Sequence, residues 1–453
     1  MARFIPRAAG LALLVGLTGH AFGNGRAPGT STINFQQGSE GHVTAGMTFG
    51  LVRSEDGGAT WRWMCEDAVG YGGMYDPDYA FTSTGALFAT TFDGLKVNRD
   101  GCVFAASALS PPRPAIKFFS AVAVGPDGAV YGAAVDPPNP SIGYPGDGNI
   151  YKSTDNGASF PTSAAPGQIN DWWQSIEVAP SNPSIVYVAG YRLEAGQPKV
   201  FLLRRSPDGG QSYPALPVAD FATMANSTIE IAGISKTDPS LVFARVTLAD
   251  NALSDALYRS SNGGQNWTKV LELAGSIAFV VRANGDLVAG TQALGSFVSS
   301  NNGANWTPLA NAPHVNCLAE NAAGEVWACT QNYGSPQVPR DEFGIMKTTN
   351  LTNWTGVLKF QDLLEPVTCS AGSPQKDKCD AELWCGLCAQ LGCTANRDCA
   401  VVGDGAPDND TTVVVKPPKG CCQAGSDAIP GVLALGAVLG MVVLRRRRPT
   451  RHP

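Results

Sequence analysis

Two short stretches of this 453-residue sequence combine carboxylates with aromatic rings. The carboxylates are Asp76 and Asp78 in the first stretch and Asp171 in the second, where Trp172 and Trp173 follow directly. Two carboxylates suffice for glycoside hydrolysis, one as general acid and the other as base or nucleophile. Exposed Trp and Tyr rings stack on sugars or anchor protein partners. The two stretches are therefore candidates for a glycosidase centre or for a non-enzymatic binding surface.

Residue types for other catalytic chemistries are scarce. Of four His, only His42 and His314 lie away from the termini, and neither stands beside the serine motif of a catalytic triad. Cys385 and Cys388 have the spacing of half a zinc site, but no His lies in the same segment. The sequence therefore predicts no metal site and no cofactor.

The net charge of −6 conceals an uneven distribution along the chain. Seven of the 32 basic residues are arginines of the two ends, at positions 3, 7, 445–448 and 451. The part between them keeps 25 basic against 38 acidic residues, a net charge of −13. Binding to a phosphate backbone needs a basic surface. Nucleic acid is therefore excluded as a partner.

Both ends have the pattern of targeting segments. Residues 1–23 combine two arginines, an apolar run and small residues before Asn24, which predicts a cleaved signal peptide. Residues 428–444 carry no charge and precede four arginines, which predicts a transmembrane helix about 25 Å long with its arginines in the cytoplasm. With Cys421 and Cys422 just before it, this end resembles the C-terminal sorting tag of myxobacterial exported proteins. That resemblance implies a tail at residues 421–453, processed or anchored at one of these cysteines, behind a linker at 401–420.

Twelve cysteines indicate an oxidising compartment. Cys317 and Cys329 lie six residues on either side of a turn centred on Ala323, so a hairpin places them opposite each other as a disulfide. Within residues 367–400, three internal disulfides are favoured over a zinc site, with 15 pairings open. Cys65 and Cys102 remain, and we pair them by elimination. The six cysteines of that segment are Cys369, Cys379, Cys385, Cys388, Cys393 and Cys399.

An eight-residue string of the form Ser-x-Asp/Asn-x-Gly-x-x-aromatic recurs five times, with degenerate copies near residues 98–104 and 348–354. Its Ser and Asp/Asn can cap a tight turn, its Gly can take a positive φ and its aromatic ring can pack beneath. The string resembles the Asp-box of sialidase-like β-propellers (BNR repeats), where it closes the hairpin between the third and fourth strands of a blade. Its defining residues are Ser54, Asp56, Gly58, Trp61; Ser153, Asp155, Gly157, Phe160; Ser206, Asp208, Gly210, Tyr213; Ser260, Asn262, Gly264, Trp267; and Ser299, Asn301, Gly303, Trp306.

A turn and a short apolar strand precede each string, so the repeating unit contains four strands. Seven such units fit between residues 33 and 364, and the 52 Gly and 15% charged residues are typical of a turn-rich all-β chain. The sequence predicts a single seven-bladed β-propeller at residues 24–366, followed by the cysteine-rich segment. Six blades are the alternative if the irregular first unit is only a closing strand.

Four units carry insertions between the second and third strands, and the resemblance puts the Asp-boxes on the opposite face, as structural staples. Loops gathered on one face usually build a binding surface. We expect that face to bind a polysaccharide or an envelope protein. The candidate ligand-binding residues are Trp172, Trp173, Tyr75, Tyr79, Tyr144, Tyr191 and Tyr333.

Enzymatic relatives with the same box fit less well. A sialidase-like site implies an Arg-Ile-Pro motif, which is missing, and converging arginines, whereas Arg53, Arg205 and Arg259 directly precede box serines. Xyloglucanase-like glycosidases use two aspartates but pair two propellers, and this chain supplies one. The sequence thus favours an exported, surface-anchored, non-enzymatic binding protein. A glycoside hydrolase using Asp171, Asp76 or Asp78 is the alternative.

Overall fold

The chain folds into a seven-bladed β-propeller followed by a disulfide-rich segment, as the computed structural model shows. The structure describes residues 26–399 except 74, 111–117, 136–147, 162–166, 168–169, 195–196, 198, 222–226, 249–253, 335–337 and 394–398. The predicted signal peptide, the linker, Cys421, Cys422, the transmembrane helix and Tyr144 lie outside these residues. None of the helices in the described part has the length and apolarity to cross a membrane.

The first three blades follow one another along the chain. Their elements are β1 (Thr30–Phe35), β2 (Val43–Met47), β3 (Gly50–Ser54), β4 (Arg62–Met64), α1 (Glu66–Val69), β5 (Tyr79–Phe81), β6 (Leu87–Thr91), β7 (Gly94–Asn98), β8 (Phe104–Ala106), β9 (Leu109–Ser110), β10 (Phe119–Val124), β11 (Val130–Ala134), β12 (Ile150–Ser153) and β13 (Phe160–Pro161). Blade 1 is β1–β4 and blade 2 is β5–β8. Blade 3 is β10–β12. The short strands β9 and β13 pair in parallel in a separate two-stranded sheet.

The remaining four blades and the helical segment complete the described chain. Their strands are β14 (Asp171–Val178), β15 (Val186–Arg192), β16 (Val200–Ser206), β17 (Ile229–Ile234), β18 (Val242–Leu248), β19 (Ser254–Ser260), β20 (Thr268–Ala274), β21 (Ala278–Val281), β22 (Leu287–Thr291), β23 (Gly295–Ser299), β24 (Thr307–Pro308), β25 (Cys317–Glu320), β26 (Val326–Cys329), β27 (Ile345–Thr348) and β28 (Thr355–Leu358). Blade 4 is β14–β16, and the other three blades have four strands each. A 3₁₀ turn (Phe360–Asp362), a π-helical segment (Gln375–Leu383) and α2 (Trp384–Leu391) follow.

The first unit forms a complete four-stranded blade, so the alternative of six blades is wrong. The second strand of blades 1, 2, 3, 6 and 7 is buried at every position. These strands lie in the middle of a blade with neighbouring blades on both faces, so each side chain is covered whichever way it points. This explains why their sequences are short, nearly continuous apolar runs rather than alternating ones.

The recurring string forms the turn between the third and fourth strand positions of a blade. In blade 1 the Ser54 hydroxyl accepts from the Gly58 N–H at 2.8 Å, and Asp56 accepts from the Thr60 N–H at 2.8 Å. Gly58 has φ +92°, and a Cβ there would lie 2.9 Å from the Trp327 ring of blade 7. The glycine is therefore required both by backbone conformation and by close packing on the preceding blade.

We expect Asp208→Ala, in the equivalent turn of blade 4, to lower the free energy of unfolding by about 1–2 kcal/mol. Asp208 Oδ1 accepts from the N–H groups of Gln211 at 3.0 Å and Ser212 at 2.9 Å. Hydrogen bonds led by the Ser212 hydroxyl lower the pKa of Asp208 to about 2. The matched control is Asp208→Asn, because Asn262 already accepts from the Asn266 N–H in blade 5. Urea unfolding measures both variants, and an equal loss for Asn and Ala would contradict the acceptor role.

The cysteine-rich segment is bonded to the propeller, which corrects two expectations. Cys65 pairs with Cys379 and Cys102 with Cys369, so the predicted Cys65–Cys102 disulfide is wrong. The elimination failed because it assumed that the six late cysteines bond among themselves. Only two disulfides are internal to that segment, Cys385–Cys399 and Cys388–Cys393. The predicted Cys317–Cys329 disulfide is confirmed across the β25–β26 hairpin.

The same segment packs onto the outer edge of blade 1 and helps to close the ring. After blade 7 the chain runs along β4, with the Leu364 N–H donating to the Trp61 carbonyl at 3.0 Å and the Val367 N–H to the Trp63 carbonyl at 2.9 Å. Trp384 then packs against Trp63 with ring centroids 5.8 Å apart. Every described blade uses consecutive strands, so these contacts and the two long-range disulfides join the end of the ring to its beginning. We call residues 360–393 together with Cys399 the clasp.

Candidate functional site

The loop-bearing face is the face formed by the connections between second and third strands and by the connections between blades. Antiparallel strands alternate in direction, so both kinds of connection emerge on the same side. Connections of two or three residues occur in blades 1, 2 and 6, whereas blades 3 and 7 use residues 135–149 and 330–344. In blades 4 and 5 the second and third strands are themselves lengthened to seven residues. The four predicted insertions are therefore present, and two of them extend the sheet.

The two adjacent tryptophans on β14 have opposite environments. Trp173 is fully buried and its indole Nε1 donates to the Gly148 carbonyl at 2.7 Å, so its ring does not face the solvent. Trp172 is partly exposed and lies opposite Tyr191 in the β14–β15 register. The Lys199 ammonium lies 4.2 Å from the centroid of the Tyr191 ring. Trp172 and Tyr191, paired in strand register, are thus two partly exposed aromatic residues at this edge of blade 4.

Large exposed apolar side chains concentrate on the loop-bearing face. Among the described residues five such side chains are exposed, and four of them flank the connections between second and third strands: Phe92, Leu193, Val200 and Leu294. Leu193 and Val200, at 49% and 52% exposure, adjoin the Trp172–Tyr191 pair in blade 4. Only Val103, at a turn between third and fourth strands, lies on the opposite face. Sequence reasoning missed these residues because each looks like an ordinary strand-end hydrophobic residue.

A second aromatic group lies beside blade 2. Tyr75 and Phe118, from the connections on either side of the blade, and Phe92, from its two-residue turn, bring their rings together. The Phe92 and Phe118 rings are stacked with centroids 4.7 Å apart, and Tyr75 lies 4.7 Å from Phe92. We call these three residues the blade 2 platform. Of its members, the sequence predicted only Tyr75.

Two further predicted ligand-binding residues are engaged inside the protein. Tyr79 is the first residue of β5 and is 3% exposed. Tyr333, in the blade 7 insertion, donates its hydroxyl to the Leu391 carbonyl at the end of α2, at 2.6 Å. The clasp therefore partly covers the loop-bearing face beside blade 7, and the accessible part lies around blades 2 to 6.

The three candidate catalytic carboxylates each have a protein donor. Asp76 forms a bidentate ion pair with Arg26, at 2.7 and 2.8 Å. Asp171 forms another with Arg192, at 2.6 and 3.0 Å, and is 4% exposed. Asp78 accepts from the Val122 N–H at 2.9 Å, and its burial raises its pKa to about 6. All three carboxylates thus hold neighbouring segments together.

Charged side chains also meet in the central channel, where the innermost strands converge. A cavity of about 220 Å³ lies there, lined by residues that include Ser31, Glu230, Arg245 and Asn316. Glu230 and Arg245 form an ion pair across β17 and β18. Among the described residues no group of His, Cys, Asp and Glu has an arrangement that could hold a metal ion.

We expect Glu177 on β14 to contribute stability that is lost as the pH rises from about 4 to about 8, by an amount that solvent screening reduces because the residue is exposed. Desolvation by the surrounding protein and the charge of Asp78 raise the pKa of the Glu177 carboxyl to about 8, against the opposing charge of Lys236. A raised pKa means that the folded state binds the proton more tightly than the unfolded state does. The stabilisation is therefore complete below the ordinary Glu pKa of about 4.3 and lost above the folded value.

Thermal unfolding at a series of pH values measures this effect. Glu177→Gln keeps a neutral side chain at every pH. Between pH 5 and pH 9 its melting temperature is therefore expected to fall less than that of the unmodified chain, by about the amount that one titrating carboxyl contributes. Glu325→Gln is the control, because donors including Lys347 lower the pKa of Glu325 despite its partial burial. An unchanged alkaline loss in Glu177→Gln would contradict the assignment.

Comparison with known proteins found solved structures that match part of this chain. No protein-family model and no curated protein sequence matches the chain. Over 66% of this chain, the extracellular domain of the one component system BT4673 from B. thetaiotaomicron is 13% identical with a TM-score of 0.44, and an ancestral GH74 enzyme is 15% identical with a TM-score of 0.45. This chain covers 37% and 43% of those structures. YCF48 bound to D1 peptide is 14% identical with a TM-score of 0.44, over 71% of this chain and 91% of that one.

Proposed function

We propose that this protein is an exported, surface-anchored β-propeller whose loop-bearing face binds an extracellular partner without turning it over. In this proposal the recurring turns are Asp-boxes with a structural role, residues 1–23 are a signal peptide and the C-terminal tail is a sorting tag at Cys421 or Cys422. The partner is a polysaccharide or an envelope protein.

The observation that carries the proposal is the distribution of exposed apolar side chains. Phe92, Leu193, Val200 and Leu294 are all about half exposed and all lie on one face. Burying such side chains against a partner is favourable, and exposed apolar patches are typical of interaction sites. The five disulfides support an extracytoplasmic location. The ion pairs of Asp76 and Asp171 favour binding over catalysis, because both carboxylates already have protein partners.

Two assays on the purified full-length chain separate binding from catalysis. A glycan array tests polysaccharide binding, and a reducing-sugar assay tests turnover on the same glycans. Binding without turnover, weakened by Trp172→Ala, supports the proposal. Release of reducing ends that Asp171→Asn abolishes would replace it with a glycoside hydrolase. If neither assay responds, capture of envelope proteins on the immobilised chain decides whether a protein partner exists.

A further inference from the structure

We propose that the blade 2 platform is the anchor site for a protein partner, and that it takes an extended segment in which an aliphatic or aromatic side chain adjoins a Lys or Arg. This inference rests on the proposed function and chooses between its two classes of partner. It rests on the ring geometry of the platform, on the hydrogen bonds of Tyr75 and on the charges beside Phe92.

The platform is preorganised. The Tyr75 hydroxyl is hydrogen-bonded to the Thr90 hydroxyl at 2.7 Å and donates to the Phe119 carbonyl at 3.2 Å, which fixes the ring. Phe92 lies on a two-residue turn between β6 and β7, and its ring is held against both other rings. Its side chain is nevertheless 50% exposed. A ring already fixed in this way loses little conformational entropy when a partner covers it.

The polar groups of the platform favour an apolar side chain over a sugar. A sugar carries many hydroxyls, and each one that is buried needs a hydrogen-bond partner. The hydroxyl of Tyr75, the only polar side-chain group among the three rings, is already engaged with Thr90 and Phe119 beneath the surface. The rings therefore offer sugar hydroxyls no hydrogen-bond partner, and Asp93 beside them offers a single carboxylate. An aliphatic or aromatic side chain needs no hydrogen-bond partner when it is buried, and its burial against Phe92 is favourable because apolar surface leaves water.

The charge beside the platform favours a basic residue in the partner. Asp93, next to Phe92 in the same turn, has a side chain that is 62% exposed. Its neighbour Lys96 is 17% exposed and lies 3.9 Å from the carboxylate, so an approaching chain meets Asp93 first. Asp76, on the connection that carries Tyr75, is neutralised by Arg26. The net charge of −13 between the terminal arginines adds a long-range attraction for basic segments.

Selection from a phage-displayed library of short random peptides, on the immobilised full-length chain, tests the inference. We expect the selected peptides to share an apolar residue next to Lys or Arg. Fluorescence polarisation with labelled synthetic peptides then measures affinity for the variants. Phe92→Ser is expected to weaken binding about thirtyfold, as for an interface hot spot. Asp93→Asn is expected to weaken it less and to reduce its dependence on salt.

The matched control is Val103→Ser, which removes a 40% exposed side chain from the same blade but on the opposite face. Its peptide affinity is expected to equal that of the unmodified chain. Peptides that lose affinity with Trp172→Ala but not with Phe92→Ser would overturn the inference and leave the proposed function standing. Binding of glycans without selection of any peptide would likewise overturn the inference and leave the proposed function standing. Binding of neither peptides nor glycans would count against both.

Discussion

Replacing both Cys65 and Cys379 by alanine is expected to lower the free energy of unfolding by about 4 kcal/mol. This disulfide joins residues 314 apart, from the end of blade 1 to the clasp, and both of its cysteines are buried. In the loop-entropy account, a cross-link removes conformations from the unfolded chain in proportion to the logarithm of the loop it closes. Because Cys102–Cys369 still joins the clasp to blade 2, the loop that Cys65–Cys379 closes runs only through residues 65–102 and 369–379.

The control is the Cys388→Ala, Cys393→Ala double variant, which removes a disulfide from the same clasp. Its cysteines are only 5 residues apart, so the same account gives a loss of about 2 kcal/mol. Guanidinium unfolding under oxidising conditions measures both losses. Equal losses would show that the clasp is stabilised locally and does not close the ring.

The second large effect is expected when two neighbouring tryptophans are replaced, because one substitution should reduce stability and the other should reduce binding. Trp173→Ala removes a fully buried ring and leaves the Gly148 carbonyl without its donor, and is expected to cost about 3–5 kcal/mol. Trp172→Ala removes a partly exposed ring and is expected to cost about 1 kcal/mol, within the usual range for a point substitution. Only Trp172→Ala is expected to weaken partner binding in a chain that remains folded.

Urea unfolding and a binding assay on both variants separate the two roles. Trp172→Phe is a further control, because it keeps an aromatic ring opposite Tyr191 and is expected to retain most of the binding. A Trp172→Ala variant as unstable as Trp173→Ala would mean that both rings serve only the fold.

The number of blades could be predicted from sequence because its signal is local and repeated. Each copy of the turn needs only Ser54, Asp56, Gly58 and their equivalents within a few residues of one another. The hairpin disulfide Cys317–Cys329 was predictable for the same reason, since a turn fixes which residues face each other. The fold prediction therefore rested on hydrogen bonds between residues that are close in sequence.

The long-range features could not be predicted in the same way. Nothing near Cys65 indicates a partner 314 residues away, because that pairing depends on how the clasp packs against Trp63. Strand alternation places Trp172 and Trp173 on opposite sides, but sequence does not say which side a neighbouring blade covers. The blade 2 platform likewise assembles only when two connections and one turn meet.

Sedimentation of labelled residues 24–420 with isolated cell envelopes tests most directly whether the loop-bearing face is the binding face. The proposed signal peptide and membrane anchor are left out because an anchor alone would carry the chain to a membrane. The test variant carries Phe92→Ser and Trp172→Ala, which change two positions on that face. The matched control is Val103→Ser, because Val103 is 40% exposed and belongs to the same blade as Phe92 but lies on the opposite face. We expect the double variant to remain folded and to lose sedimentation at least tenfold, whereas Val103→Ser is expected to sediment like the unmodified chain. Retention by the double variant together with loss by Val103→Ser would show that the opposite face binds, and would contradict the account.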